Sequence, residues 1–75
     1  MPKVEDIREL VADIANIDPK DIKNDSDLYG FPDFDSLSIL SLIVALDDLG
    51  ISLDQGQVSK VRTFDDLLKL TEVEE

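Results

Sequence analysis

The stretch that most constrains what this chain can become runs from Asp33 to Gly50. Within it, Ile39, Leu42, Ile43, Leu46 and Leu49 recur at the i, i+3, i+4, i+7, i+10 spacing of one buried helix face. The spacing predicts a helix that opens at Asp35 or Ser36 and ends at Leu49. Gly50 is available for the left-handed conformation that closes helices. A second apolar row, Leu37, Leu40 and Val44, continued by Ser41 and Asp48, is turned away from the first. One row can pack inward, and the other is left for something outside. Ser36 sits where backbone N–H groups lack intrahelical acceptors and the helix dipole favours negative charge, so a phosphate esterified to its hydroxyl would be well placed.

On either side the pattern is also helical. Val4, Ile7, Leu10, Val11 and Ile14 predict an amphipathic helix over residues 3 to 16, with Pro2 suited to its first turn and Glu5, Asp6, Arg8, Glu9 and Asp13 mainly outside. The long connection from 17 to 34 should hold a single helical turn, with Asp18 as N-cap, Pro19 next, and Ile17 facing Ile22 as a hydrophobic staple. Leu28, Tyr29, Phe31 and Phe34 would pin the rest of that loop, with turns at Gly30 and Pro32. Phe34 is read as an anchor, with a role lining the approach to Ser36 as the alternative. After Gly50, Ile51 and Leu53 read as a short extended piece, and residues 55 to 62 as a short, mobile helix weakened by Gly56. Thr63 caps a last helix through Asp66, with Phe64, Leu67, Leu68 and Leu70 on its apolar side. Glu72, Glu74 and Glu75 crowd the end of that helix, where the dipole disfavours acids, so the tail is expected to fray. The expected fold is all-α: a single domain over residues 1–75, a small four-helix bundle of three longer helices and one short one, with a long loop between the first two.

Several function classes are excluded by what the chain lacks. It has no cysteine and no histidine, hence no thiolate, no sulfur metal ligand and no side chain that ordinarily titrates near neutrality. Any thiol chemistry must arrive on a cofactor, which weighs against an enzyme acting alone. Eighteen acids against seven bases give a net charge of −11, so nucleic acid and anionic membranes are not expected partners. From Asn24 to Ser59 there are seven acids and no base, a half that should attract basic protein surfaces, although an acidic excess also serves solubility. Mean hydropathy of −0.06 and the lack of a long uncharged apolar run argue against a membrane span, and no signal peptide is visible. A cytoplasmic monomer is the expectation.

Two sites compete for attention. Asp25, Asp27, Gly30 and Asp33 fall at positions one, three, six and nine of a calcium loop, but Tyr29 stands at position five and Ser36 where a bidentate glutamate is required. No metal site is therefore expected. Ser36 reads either as a helix cap or as a modified residue. With Asp35 as the cap, its N3 partner is Ser38, so neither side chain is expected to commit to a full capping box. No His, Lys or Cys stands near to activate Ser36, so it reads as a substrate for another enzyme and not as a catalytic nucleophile.

On Asp35-Ser36-Leu37 at the head of an apolar helix, the run Leu42 to Asp48 behind it, and Thr63-Phe64-Asp65-Asp66-Leu67 further on, the chain resembles the acyl and peptidyl carrier proteins. The likeness extends over nearly the whole chain in length and helix order. It implies 4'-phosphopantetheine attached to Ser36, with Asp35 and Leu37 flanking it. The group would come from coenzyme A through a phosphopantetheinyl transferase and carry acyl or aminoacyl thioesters for lipid, polyketide or related biosynthesis. It also implies that Leu37, Leu40, Ser41, Val44, Asp47 and Asp48 dock acyl-loading and acyl-processing enzymes that have basic surfaces, and that an acyl chain can fold back between the helices. Three departures from the family pattern leave the serine in place: Phe34 where a glycine is common, Ser41 where an acid is common, and Leu53-Asp54 where Ile-Pro is common. They point to a specialised carrier over a housekeeping fatty-acid one. The alternative is an acidic helical interaction domain without a prosthetic group.

Overall fold

The structure is a computed structural model that describes residues 2–73. These form four α-helices, α1 (Val4–Ala15), α2 (Ser36–Asp48), α3 (Gln55–Val58) and α4 (Phe64–Thr71), with 3-10 turns at Pro19–Asp21 and Leu28–Gly30. Three longer helices and a short one before the last form the expected all-α bundle. Among the described residues no helix is long and apolar enough to cross a membrane.

The apolar periodicity of α1 buries Val4, Ile7, Val11 and Ala15. Lys3 takes the extended N-cap conformation, and its N–H donates to the Asp6 carboxylate at 2.8 Å. Arg8, expected outside, is not: its side chain is only 18% exposed, and its guanidinium lies 5.2 Å from the centre of the Phe64 ring while pairing with Glu5. The three-carbon stem covers apolar surface while the charge sits over a π face, a compromise that charge patterning alone does not reveal.

Three of the four helices end in the same way. Asn16, Gly50 and Glu72 adopt left-handed conformations, with φ of 58°, 87° and 59°. The next residue then donates back into the last turn: Ile17 to the Ala12 carbonyl at 2.9 Å, Ile51 to Leu46 at 2.9 Å and Val73 to Leu68 at 3.2 Å. Each closure returns an apolar side chain, and Val73 is buried outright. Glu72 closes α4 in the left-handed conformation, and the remaining acids of the tail expected to fray, Glu74 and Glu75, lie outside the described residues. Leu49 differs from expectation too. Regular helix stops at Asp48, so Leu49 leaves the helical spacing and remains 36% exposed, and the buried stripe of α2 narrows to Ser38, Ile39, Leu42 and Leu46.

The long loop owes its order to the far end of the chain. Asp18 caps the first 3-10 turn by accepting the Lys20 N–H at 3.0 Å, as expected. The second turn, which includes the expected turn residue Gly30, is capped by Asp27, whose carboxylate accepts the Tyr29 N–H at 3.0 Å. Between the turns and α4 run three backbone bonds: Leu28 N–H to Arg62 O at 2.8 Å, Phe64 N–H to Ser26 O at 3.1 Å, and Asp65 N–H to Asn24 O at 2.8 Å. They satisfy donors that a helix start leaves free. Among the described residues no cluster of three or more acids is placed to hold a metal ion.

Both remaining helices start on reciprocal boxes. Asp54 accepts the Gln57 N–H at 2.7 Å and Gln57 answers to the Asp54 N–H at 3.0 Å, which secures the short α3 despite Gly56. Thr63 accepts the Asp66 N–H at 3.1 Å, and Asp66 accepts from Thr63 N–H at 3.2 Å and Arg62 N–H at 3.3 Å. Those donors, the Thr63 N–H foremost, hold the Asp66 carboxyl below its ordinary value of 3.8.

Candidate functional site

The head of α2 is built from the loop inward. Phe34 is buried, and its N–H donates to the Phe31 carbonyl at 3.0 Å, so the chain reaches Asp35 on a fixed anchor. Its burial is that of an anchoring aromatic. Asp35 is extended (φ −121°, ψ −167°), and its Oδ1 accepts the N–H groups of Leu37 at 3.0 Å and Ser38 at 3.1 Å. Ser38 closes the box: its Oγ accepts the Asp35 N–H at 3.1 Å and donates to the Asp33 carbonyl at 3.0 Å. The expectation of an uncommitted box is therefore wrong. The hydroxyl is short enough to turn back on its own turn, and burial of Ser38 favours pairing it there. An Asp followed three residues later by Ser, at the edge of the buried stripe, was the available signal.

This arrangement sets Ser36 apart. It is the first helical residue, it is exposed, and it takes no part in the box, because Asp35 does the capping. An anion attached there would meet the helix dipole, but the Leu37 and Ser38 N–H groups are already held by Asp35. The exposed carboxylates of Asp33 and Asp35 stand one to three residues away. The head of α2 is thus a poorer anion cradle than its sequence suggests.

At about 100° per residue, Leu37, Leu40, Ser41, Val44, Asp47 and Asp48 fall within about a third of the circumference of α2. All six are exposed, and the three aliphatic ones conspicuously so: Leu37 at 71%, Val44 at 63% and Leu40 at 48%. Ile39, Leu42 and Leu46 occupy the opposite, buried side. The face is uncharged from Ser36 to Leu46 and ends in two acids in a last turn that contains no base, where the dipole disfavours them. It is an apolar strip with negative charge at its foot, continuous with Ser36 at its head.

A family model described as the phosphopantetheine attachment site matches residues 5–71. The chain is 29% identical over 73 residues to an acyl carrier protein of Sulfurovum sp., covering 96% of this chain and 97% of that one. It is 28% identical over 69 residues to an acyl carrier protein of Wolinella succinogenes, with 91% of each chain covered. Against the polyketide-8 synthase acyl carrier protein 2 of Streptomyces avermitilis it is 31% identical over 61 residues, or 80% of this chain and 70% of that one.

Proposed function

The chain belongs to the acyl carrier protein family, defined by its phosphopantetheine attachment site, and we propose from that premise that Ser36 is the residue to which the arm is joined. The protein is a carrier and not an enzyme. The observation that carries the proposal is the division of labour at the head of α2: Asp35 and Ser38 close the helix, leaving the Ser36 hydroxyl exposed and chemically idle. When bound, the phosphopantetheine supplies a terminal thiol that holds an acyl or aminoacyl group as a thioester, chemistry that no side chain of this cysteine-free protein provides.

The chain's own residues present that serine. Asp35 fixes the first turn, Phe34 ties it to the core, and Leu37 extends the exposed strip beside it. We assign docking to Leu37, Leu40, Ser41, Val44, Asp47 and Asp48. The aliphatic side chains fit apolar pockets, and the acids steer basic surfaces toward them in brief contacts. Partners of that chemistry are a phosphopantetheinyl transferase and the enzymes that load and process acyl groups in lipid, polyketide or related biosynthesis. The chain acts as one carrier domain over residues 1–75, monomeric and cytoplasmic in this reading.

Intact mass after incubation with coenzyme A and a broad-specificity phosphopantetheinyl transferase tests the assignment. The wild type should gain one phosphopantetheine and Ser36→Ala none. A wild type that gains nothing, under conditions that load a known carrier, would leave an unmodified interaction domain as the surviving reading.

A further inference from the structure

The loop before Ser36 carries an aromatic pair of which Phe34 belongs to the core, while Tyr29 serves neither the core nor the docking strip. Tyr29 packs against Phe34 edge to face, with ring centroids 5.6 Å apart and planes at 79°. Phe34 is buried and stands two residues before the serine, so its Cα lies within about 7.6 Å of that of Ser36, two virtual bonds away. In an edge-to-face pair one ring covers at most one face of the other. Tyr29 accordingly remains 42% exposed, a large ring left half open in a loop whose Leu28 and Phe34 are buried. Its backbone is held in place, since the Tyr29 N–H donates to Asp27 Oδ1 at 3.0 Å and the Gly30 N–H to the Asp27 carbonyl at 3.0 Å.

We infer that Tyr29 is a contact for the prosthetic arm: its open face receives the two geminal methyl groups of the pantoyl segment and so sets the direction in which the arm leaves the protein. The inference rests on Ser36 being the attachment point. Those methyls are the apolar part of the arm nearest its root, separated from the serine oxygen by the phosphate and one methylene. The charged root itself is poorly held, because Asp35 occupies the N–H groups of Leu37 and Ser38 and the neighbouring carboxylates repel a phosphate. The next segment along is apolar, and the loop that leads into Ser36 leaves the ring of Tyr29 half open. One such contact is too weak to bind a free ligand. On a tether this short the effective concentration reaches the millimolar range, where a weak contact is populated.

The test uses the protein loaded from coenzyme A by the transferase, with intact mass and proton NMR read on the same sample. The chain has a single tyrosine and no tryptophan, so cross-peaks to tyrosine ring protons report on Tyr29 alone. The expected result is complete mass gain, pantoyl methyl resonances shifted upfield of those of free coenzyme A by the ring current, and cross-peaks from them to the Tyr29 ring. Tyr29→Leu should keep the full mass gain and lose the upfield shift, while Tyr29→Phe keeps both. Complete mass gain with methyl resonances at their free positions and no cross-peak in the wild type overturns the inference and leaves the assignment of Ser36 standing. Persistence of the upfield shift in Tyr29→Leu overturns it as well. Absence of mass gain overturns the assignment of Ser36 and this inference with it.

Discussion

Replacing Ser38 by alanine removes a hydroxyl that accepts the Asp35 N–H at 3.1 Å and donates its one proton to the Asp33 carbonyl at 3.0 Å, with Asp35 Oδ1 at 3.3 Å as a second acceptor of that proton. Each bond contributes about 1 kcal/mol net, so their joint loss costs about 2 kcal/mol. The Asp35 carboxylate still caps the Leu37 and Ser38 N–H groups, so the helix start survives with half of its box. In a domain of this size about 2 kcal/mol lowers Tm by roughly 10 °C. Ser36→Ala, two residues away and outside the box, should change stability by no more than about 0.5 kcal/mol. The two serines therefore part company. Ser38→Ala loses stability and keeps the mass gain from coenzyme A, whereas Ser36→Ala keeps stability and loses the mass gain. Urea unfolding followed by far-ultraviolet circular dichroism measures the first quantity, with an unchanged slope expected in both variants. The reasoning fails if Ser36→Ala lowers the midpoint as far as Ser38→Ala does, or if Ser38→Ala unfolds with the wild type.

Three more outcomes follow from the same geometry. Because the Thr63 and Arg62 N–H groups hold the Asp66 carboxyl below its ordinary 3.8, its folded form binds a proton less readily than its unfolded form. The stability it contributes is fully present above that ordinary value and is lost as pH falls through the lower folded value, so urea midpoints in acid should decline less steeply for Asp66→Asn than for the wild type. Glu72→Gly removes both a left-handed non-glycine residue and an acid at a helix C-terminus, and should raise the unfolding free energy by about 1 kcal/mol in denaturant titration. Arg8→Met keeps the apolar stem over Phe64 and discards a buried Nε that has no hydrogen-bond partner, so it should unfold within about 1 kcal/mol of the wild type, whereas Arg8→Ala, which loses the stem, should cost more in calorimetry.

What the sequence makes legible here is what is settled by neighbours within one turn. The caps at Asp18 and Thr63, the left-handed Gly50 and the exposed row Leu37, Leu40, Val44 all follow from spacing and side-chain type. The commitments of Arg8 and of the Leu28–Gly30 turn were not legible, because each depends on α4: Phe64 under the guanidinium, and the Arg62 carbonyl receiving the Leu28 N–H. Leu49 was misjudged because periodicity assumes that the helix continues, and the left-handed Gly50 forces the chain off that spacing one residue earlier. At the candidate site, the exposure of Ser36 follows from Asp35 being the better-placed cap. The closure of the Asp35–Ser38 box was misjudged because it depends on the burial of Ser38, which is set by packing from elsewhere in the bundle.

The three backbone bonds that cross from the start of α4 to the loop give the molecule an uneven division of duties. The final third of the chain contributes nothing to the presented face, yet it moors the platform on which the serine stands. Shortening the protein ahead of Arg62 would leave Asn24, Ser26 and Leu28 without their partners and take Phe64 and Leu67 out of the core, so the approach to Phe34 and Asp35 would lose its mooring.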